Sequence, residues 1–104
     1  MKYTIGLHPR ARLELRDARD YYRILDEDLA LDLLHEYRTK LEFIGDYPHA
    51  APKLFGTYRH VVLGKFKYMI VYRVVMKTHT IRVLAIIHVH RDPKWIKQAL
   101  TGRL

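Results

Sequence analysis

The apolar run IRVLAIIHVHRDP at residues 81–93 stops on His88, His90, Arg91 and Asp92. Side chains of these types at this spacing admit three readings. Two imidazoles two residues apart on a strand share a face and make half of a metal site. An imidazole beside guanidinium groups makes an acid next to a phosphate clamp, as a nuclease requires. The third reading is structural: His88 hydrogen-bonded at a strand end and His90 in solvent. Zinc would need further ligands. The chain has no cysteine and no Asp/Glu pair near the histidines, so neither a metal nor another cofactor is expected. The cations that could converge with His88 are Arg59, Lys67, Arg73, Arg82 and Arg91. Such a basic, histidine-containing concavity suits a phosphate, a carboxylate or an acidic peptide. Asp92 before Pro93 reads as the cap of a terminal helix. Of the eight tyrosines, Tyr47 and Tyr58 are the two placed to stack a base.

The elements that must position these groups follow from periodicity. Residues 2–7 alternate polar and apolar and predict a short strand. Pro9 suits the first turn of a helix, in which Ala11, Leu15, Ala18, Tyr22 and Leu25 form one apolar stripe. Asp26, Glu27 and Asp28 open a second helix, favourable both as caps and toward the helix dipole. Its stripe is Ala30, Leu33, Leu34, Tyr37, Leu41 and Ile44, with Gly45 and Pro48 marking the end. So short a connection predicts an antiparallel helical hairpin. Residues 46–56 hold two prolines and a glycine and read as a loop. Beyond it the period changes to two, giving strands at 57–63, 66–76 and 81–88 with turns at Gly64 and at residues 77–80. A short helix carrying Trp95, Ile96, Ala99 and Leu100 follows Pro93. The expected fold is α+β: an N-terminal strand, a helical hairpin, a three-stranded antiparallel meander and a short C-terminal helix, with the helices on one face of the sheet. Residues 1–104 are expected to form one domain.

Alternation also predicts which way the strands face. Phe66, Tyr68, Ile70, Tyr72 and Val74 should meet the helices. In the last strand Ile81, Val83, Ala85, Ile87 and Val89 make an unbroken apolar row. That row turned to the helices puts His88, His90 and Arg82 on the opposite side. Arg59 joins them if the first meander strand is in register, which sequence alone does not fix.

Nineteen Lys and Arg against eleven Asp and Glu give a formal net charge of +8. The overall field of such a chain attracts nucleic acid or an acidic protein. No run is long or apolar enough to span a bilayer. The first residues lack the apolar core of a secretory signal. The missing cysteines suit a reducing compartment, so a cytoplasmic protein without membrane contact is expected.

Four stretches in order resemble one known family. They are LHPRARLELRDARDYY (7–22), YPHAAP (47–52), YRHVVLGKFKYMIVYRV (58–74) and VLAIIHVHRDPKW (83–95). Together the pattern is similar to the ParE/RelE superfamily of toxins from bacterial type II toxin–antitoxin modules, above all its ParE-like, plasmid-stabilisation branch. The resemblance implies a cytoplasmic toxin neutralised by a cognate antitoxin that lays an acidic, amphipathic tail over it as a hetero-oligomer. ParE-like members poison DNA gyrase; RelE-like members cut messenger RNA on the ribosome. The His–Arg-Asp-Pro element and the Tyr-rich strand favour the gyrase poison. No carboxylate stands as a convincing general base, which a hydrolytic site would need. No catalytic residue is therefore assigned. Arg59, Lys67, Arg73, Arg82, His88 and Arg91 are the candidates for contact with the target or its phosphates.

Overall fold

The structure, a computed structural model, describes residues 3–103. A strand at Thr4–Leu7 (β1) leads directly into a helix at Pro9–Leu25 (α1). Lys2, where alternation would begin that strand, lies outside the described residues. His8 caps the helix: its Nδ1 accepts from the Arg10 N–H at 3.0 Å, and Pro9 occupies a position that needs no donor. A second helix spans Glu27–Asp46 (α2). Asp26 alone separates the two, ending α1 and capping α2 by accepting from the Asp28 N–H at 2.9 Å. Leu25, at this bend, is exposed, whereas Ala11 and Ala18 of its stripe are buried and Leu15 and Tyr22 half-buried. Gly45 does not end α2, which continues to Asp46, with Tyr47 as its C-cap.

The sheet has five strands in the order β1-β5-β4-β3-β2. They are β2 (Lys53–Phe55), β3 (Tyr58–Val62), β4 (Tyr68–Val75) and β5 (Thr80–His88), beside β1. β1 pairs with β5 in parallel, and the other pairs are antiparallel. The loop expected at 46–56 thus contains a strand. β2 has three residues and an irregular register against β3, too short to leave an alternating signal. Gly64, at φ 53, makes the turn between β3 and β4. A 3-10 turn at Met76–Thr78 and a left-handed His79 connect β4 to β5.

On one face, α1 and α2 bury Ala11, Ala18, Leu33, Tyr37 and Ile44 against Phe66, Ile70, Tyr72, Ile81 and Val83. The Tyr72 hydroxyl donates to the buried Pro48 carbonyl at 2.8 Å and ties the 47–52 turn to this core. The third helix, Pro93–Gly102 (α3), is capped by Asp92 through the Lys94 N–H at 3.0 Å, as its sequence predicts. Its place is not the predicted one. Ile96 and Leu100 pack on Met69, Val71, Leu84, Ala85 and Ile87, on the opposite face of the sheet. The helices therefore cover both faces, because both faces of central β5 are apolar beyond Val83. Among the described residues no helix is long and apolar enough to cross a membrane.

Candidate functional site

One extra residue in β5 decides where the histidines go. Val71 pairs with Ala85, but the next residue along, Tyr72, pairs with Val83, so Leu84 is a bulge. A bulge adds one residue to one strand and reverses its alternation from there on. Ile81 and Val83 face the hairpin as expected. After the bulge Ile86 faces it, whereas Ala85 and Ile87 face α3. His88, predicted on the face away from the hairpin, is therefore on the hairpin side, opposite Tyr68 in the ladder with ring centroids 5.6 Å apart.

β1 ends at Leu7, and the last main-chain bond on that side of β5 runs from the His8 N–H to the Val83 carbonyl at 2.9 Å. Beyond it the edge of β5 is completed by side chains. Glu14 of α1 accepts from the Ile86 N–H at 3.1 Å. Arg103, just past α3, donates to the Leu84 carbonyl at 3.0 Å. The two side chains form a two-pronged ion pair at 2.8 and 2.9 Å, only 7% and 17% exposed for Arg103 and Glu14. A paired fork of this kind is the strong form of an Arg–carboxylate contact. Sequence reading missed both partners, and with 89 positions between them no local spacing could reveal them.

This edge opens a cleft of about 220 Å³ between α1 and α3, where Asp17, Tyr68, His88, Arg91 and Trp95 meet. His88 Nδ1 accepts from the His90 N–H at 3.1 Å, which leaves Nε2 to carry the ring proton. In that state His88 offers a donor, not a base. Burial, and after it the neighbouring Tyr22, Tyr21 and Asp17, push the Tyr68 hydroxyl above its ordinary range, so it too stays protonated. Glu14 is committed to Arg103. The Arg91 guanidinium carbon sits over the Trp95 ring, 3.8 Å from its centroid, a cation–π contact that holds the guanidinium at the cleft mouth. Their four-residue spacing was the one signal of this pairing in the sequence. His90 is exposed, its ring 5.4 Å from that of His88. Among the described residues no group of three or more His, Asp or Glu side chains could hold a metal ion.

Arg91 also borders a second depression, a groove of about 450 Å³ on the α3 face, lined by Leu54, Phe55, Val62, Met69 and Ile96, with His60 and Lys97 as its other polar members. The His60 Nδ1 atom is buried without a hydrogen-bond partner there.

The six predicted site residues do not form one concavity. Arg59 is opposite Tyr72 on the hairpin side and donates to the Ala51 carbonyl at 2.7 Å, a structural role. Arg73 and Arg82 are direct cross-strand partners on the opposite face. Lys67 is exposed in the turn before β4, and its carbonyl accepts from the Val89 N–H. Of the set, the structure brings together His88 and Arg91 at the cleft. Tyr47 is exposed, and Tyr58 packs on Phe55 with centroids 5.0 Å apart.

Residues 5–93 match the family model for the ParE toxin of the type II toxin–antitoxin system parDE. Among solved structures, the chain is similar to a chromosomal ParDE toxin–antitoxin system from P. aeruginosa. That likeness has a TM-score of 0.71 and 17% identity over 83% of this chain and 95% of that one. It is also similar to the E. coli toxin RelE, in a double arginine-to-alanine mutant in the free state, with a TM-score of 0.72 and 20% identity over 100% of both chains. At these identities the likeness is one of fold. No curated protein matches the chain. The family match takes in the whole hairpin and all of the sheet except Thr4, and the chain belongs to the ParE toxin family of type II toxin–antitoxin systems.

Proposed function

We propose that this toxin acts as a DNA gyrase poison, held inactive in the cytoplasm by a cognate antitoxin, with residues 1–104 as its single toxin domain. The family match over residues 5–93 carries this reading. The state of the cleft supports it. Glu14 is tied to Arg103, His88 Nδ1 is occupied by a main-chain N–H, and Tyr68 is held protonated. Hydrolysis of a phosphodiester needs a group free to take a proton; the one other carboxylate of the cleft, Asp17, is exposed beside Arg16 at 3.9 Å. A poison that traps another enzyme, by contrast, needs only a shaped surface. The ParDE neighbour is itself a toxin–antitoxin system. For this chain, the groove lined by Leu54, Phe55, Met69 and Ile96, with Arg91 and Lys97 on its border, suits the apolar side of an amphipathic acidic tail.

Purified toxin should inhibit supercoiling by gyrase or raise gyrase-dependent DNA cleavage. The alternative, a RelE-like ribosome-dependent messenger RNA endonuclease, rests on His88, His90 and Arg91 lying together at one end of β5. Cut messenger RNA on toxin-treated ribosomes, with gyrase unaffected, would replace the first reading with the second. Co-expression with the adjacent gene and tag purification tests the partner. Two proteins that do not co-purify at moderate salt would count against an antitoxin bound in this groove.

A further inference from the structure

The charges of the chain are sorted by element. Ten of its eleven acidic residues fall within residues 14–46, the hairpin, whereas eleven of its nineteen basic residues fall within residues 53–103. Residues 47–104 thus carry a formal net of +10 and residues 1–46 a net of −2. The one carboxylate side chain in the second half, Asp92, is engaged in capping α3. The molecule is a positive sheet backed by a weakly negative hairpin.

The positive side has a focus. Arg73 of β4 and Arg82 of β5 are direct cross-strand partners, on the face opposite Tyr72, Ile81 and Val83 and so away from the hairpin. Like charges directly opposite one another destabilise a sheet. Among the described residues no carboxylate lies within ion-pair distance of either. Arg82 is exposed and Arg73 half-buried. The next residue across the sheet is Gly6 of β1, level with Arg82, and a Cβ placed there meets nothing within 4 Å. The surface beside the arginine pair is therefore bare backbone, open to close approach. The field reaches round the strand edge as well: after burial, Arg103 and Arg82 are the main causes that lower the His8 imidazole below its ordinary range.

We propose that this face of the sheet, centred on Arg73 and Arg82 with Gly6 beside them, docks the phosphate backbone of duplex DNA. An acidic amphipathic peptide would need apolar anchors, and those lie in the groove beside α3, not here. A single strand would need aromatic platforms for its bases. The aromatics of this face are already engaged: Phe55 and Tyr58 pack on each other, and Trp95 lies under Arg91. What remains is charge beside open backbone, and phosphate contacts made by charge hold duplex DNA without reading its sequence. The proposal does not depend on gyrase being the target, because it concerns the toxin and DNA alone.

Fluorescence anisotropy of the full chain with a labelled mixed-sequence duplex, over a range of salt concentrations, tests it. Removing one side chain that neutralises a phosphate lowers the slope of log K against log salt by about 0.9. Arg73→Ala/Arg82→Ala should therefore flatten it by about 1.8, with a thermal midpoint no lower than that of the parent. Arg73→Lys/Arg82→Lys, which keeps the charges, should retain the slope. Gly6→Glu, which sets a carboxylate beside Arg82, should weaken binding more than Arg38→Ala on the hairpin. An unchanged slope in the double alanine variant overturns the proposal. So does tighter binding of polyglutamate or single-stranded RNA than of the duplex through the same two arginines.

Discussion

Between Thr80 and Val83, β5 has strand neighbours on both sides, β1 in parallel and β4 antiparallel. Beyond Val83 it has β4 on one side, while Glu14 and Arg103 take over the other. The first half is held by a main-chain ladder, which most side chains tolerate. The second depends on two residues and one bulge. That dependence has a use. A further strand beside Ala85–His88 would fill the space in which Asp17, Tyr68, His88, Arg91 and Trp95 meet. Two side chains satisfy the Leu84 carbonyl and the Ile86 N–H and leave the cleft open. They also occupy backbone groups that would otherwise invite pairing with another chain.

The two halves of β5 should part most sharply at Glu14. Glu14→Ala strands a buried Arg103 and removes the acceptor of the Ile86 N–H. Losing one partner of a buried pair costs about 3–5 kcal/mol, to be read from urea denaturation. Glu14→Gln keeps an acceptor for Ile86 and should cost less. Equal losses in the two variants would mean that the charge, not the strand edge, is what matters.

His88 tests the far end of the same half. Its ring packs edge-on to Tyr68 and accepts from the His90 N–H. His88→Ala should cost about 1 kcal/mol and lower toxicity. His90→Ala, at an exposed side chain, should stay within about 0.5 kcal/mol and leave toxicity intact. Loss of toxicity in His90→Ala with an unchanged melt would shift the assignment to a catalytic His90 and favour the nuclease reading.

Arg91 separates stability from action. An exposed cation–π contact contributes about 0.5–1 kcal/mol, so Arg91→Ala should melt close to the parent. Because Arg91 borders both the cleft and the groove, the variant should still be less toxic in a growth assay. Full toxicity would remove Arg91 from the site.

The smallest effect lies where the two halves of β5 meet. His8 bonds Val83 through its N–H and caps α1 through a deprotonated Nδ1. Burial first, and then Arg103 and Arg82, hold its imidazole below the unfolded value of 6.5. Its contribution to stability is therefore complete above pH 6.5 and declines as the pH falls below 6.5 toward the folded value. His8→Asn keeps a capping acceptor and should flatten that decline in urea midpoints taken across this range. An identical pH profile in the variant would deny His8 the role.

The hairpin was legible because each helix carries its own instructions. Pro9, Asp26 and the apolar stripes act within a few residues of where they stand. The same holds for Asp92 at the start of α3 and for the inward row of β4. The site was less legible. His88 and Arg91 were singled out from their types and position, but their surroundings were not. Arg59 shows why: its ladder partner, Tyr72, turns it toward the hairpin side, where its guanidinium meets the Ala51 carbonyl. That register depends on pairing between strands, which no stretch of β3 encodes by itself.

By itself the sequence determined the order of the elements, their caps, the hairpin and a strongly basic chain, because propensity, capping and net charge are local or additive. Tertiary structure decided which face His88 occupies, where α3 docks and how the edge of β5 is completed. The physical reason is the single inserted residue at Leu84. Side chains alternate with a period of two, so one extra residue sends all that follow to the other face. In a strand apolar on both faces, no change in hydrophobicity marks where that happens. The Glu14–Arg103 pair that satisfies the exposed edge joins residues that only the folded chain brings together.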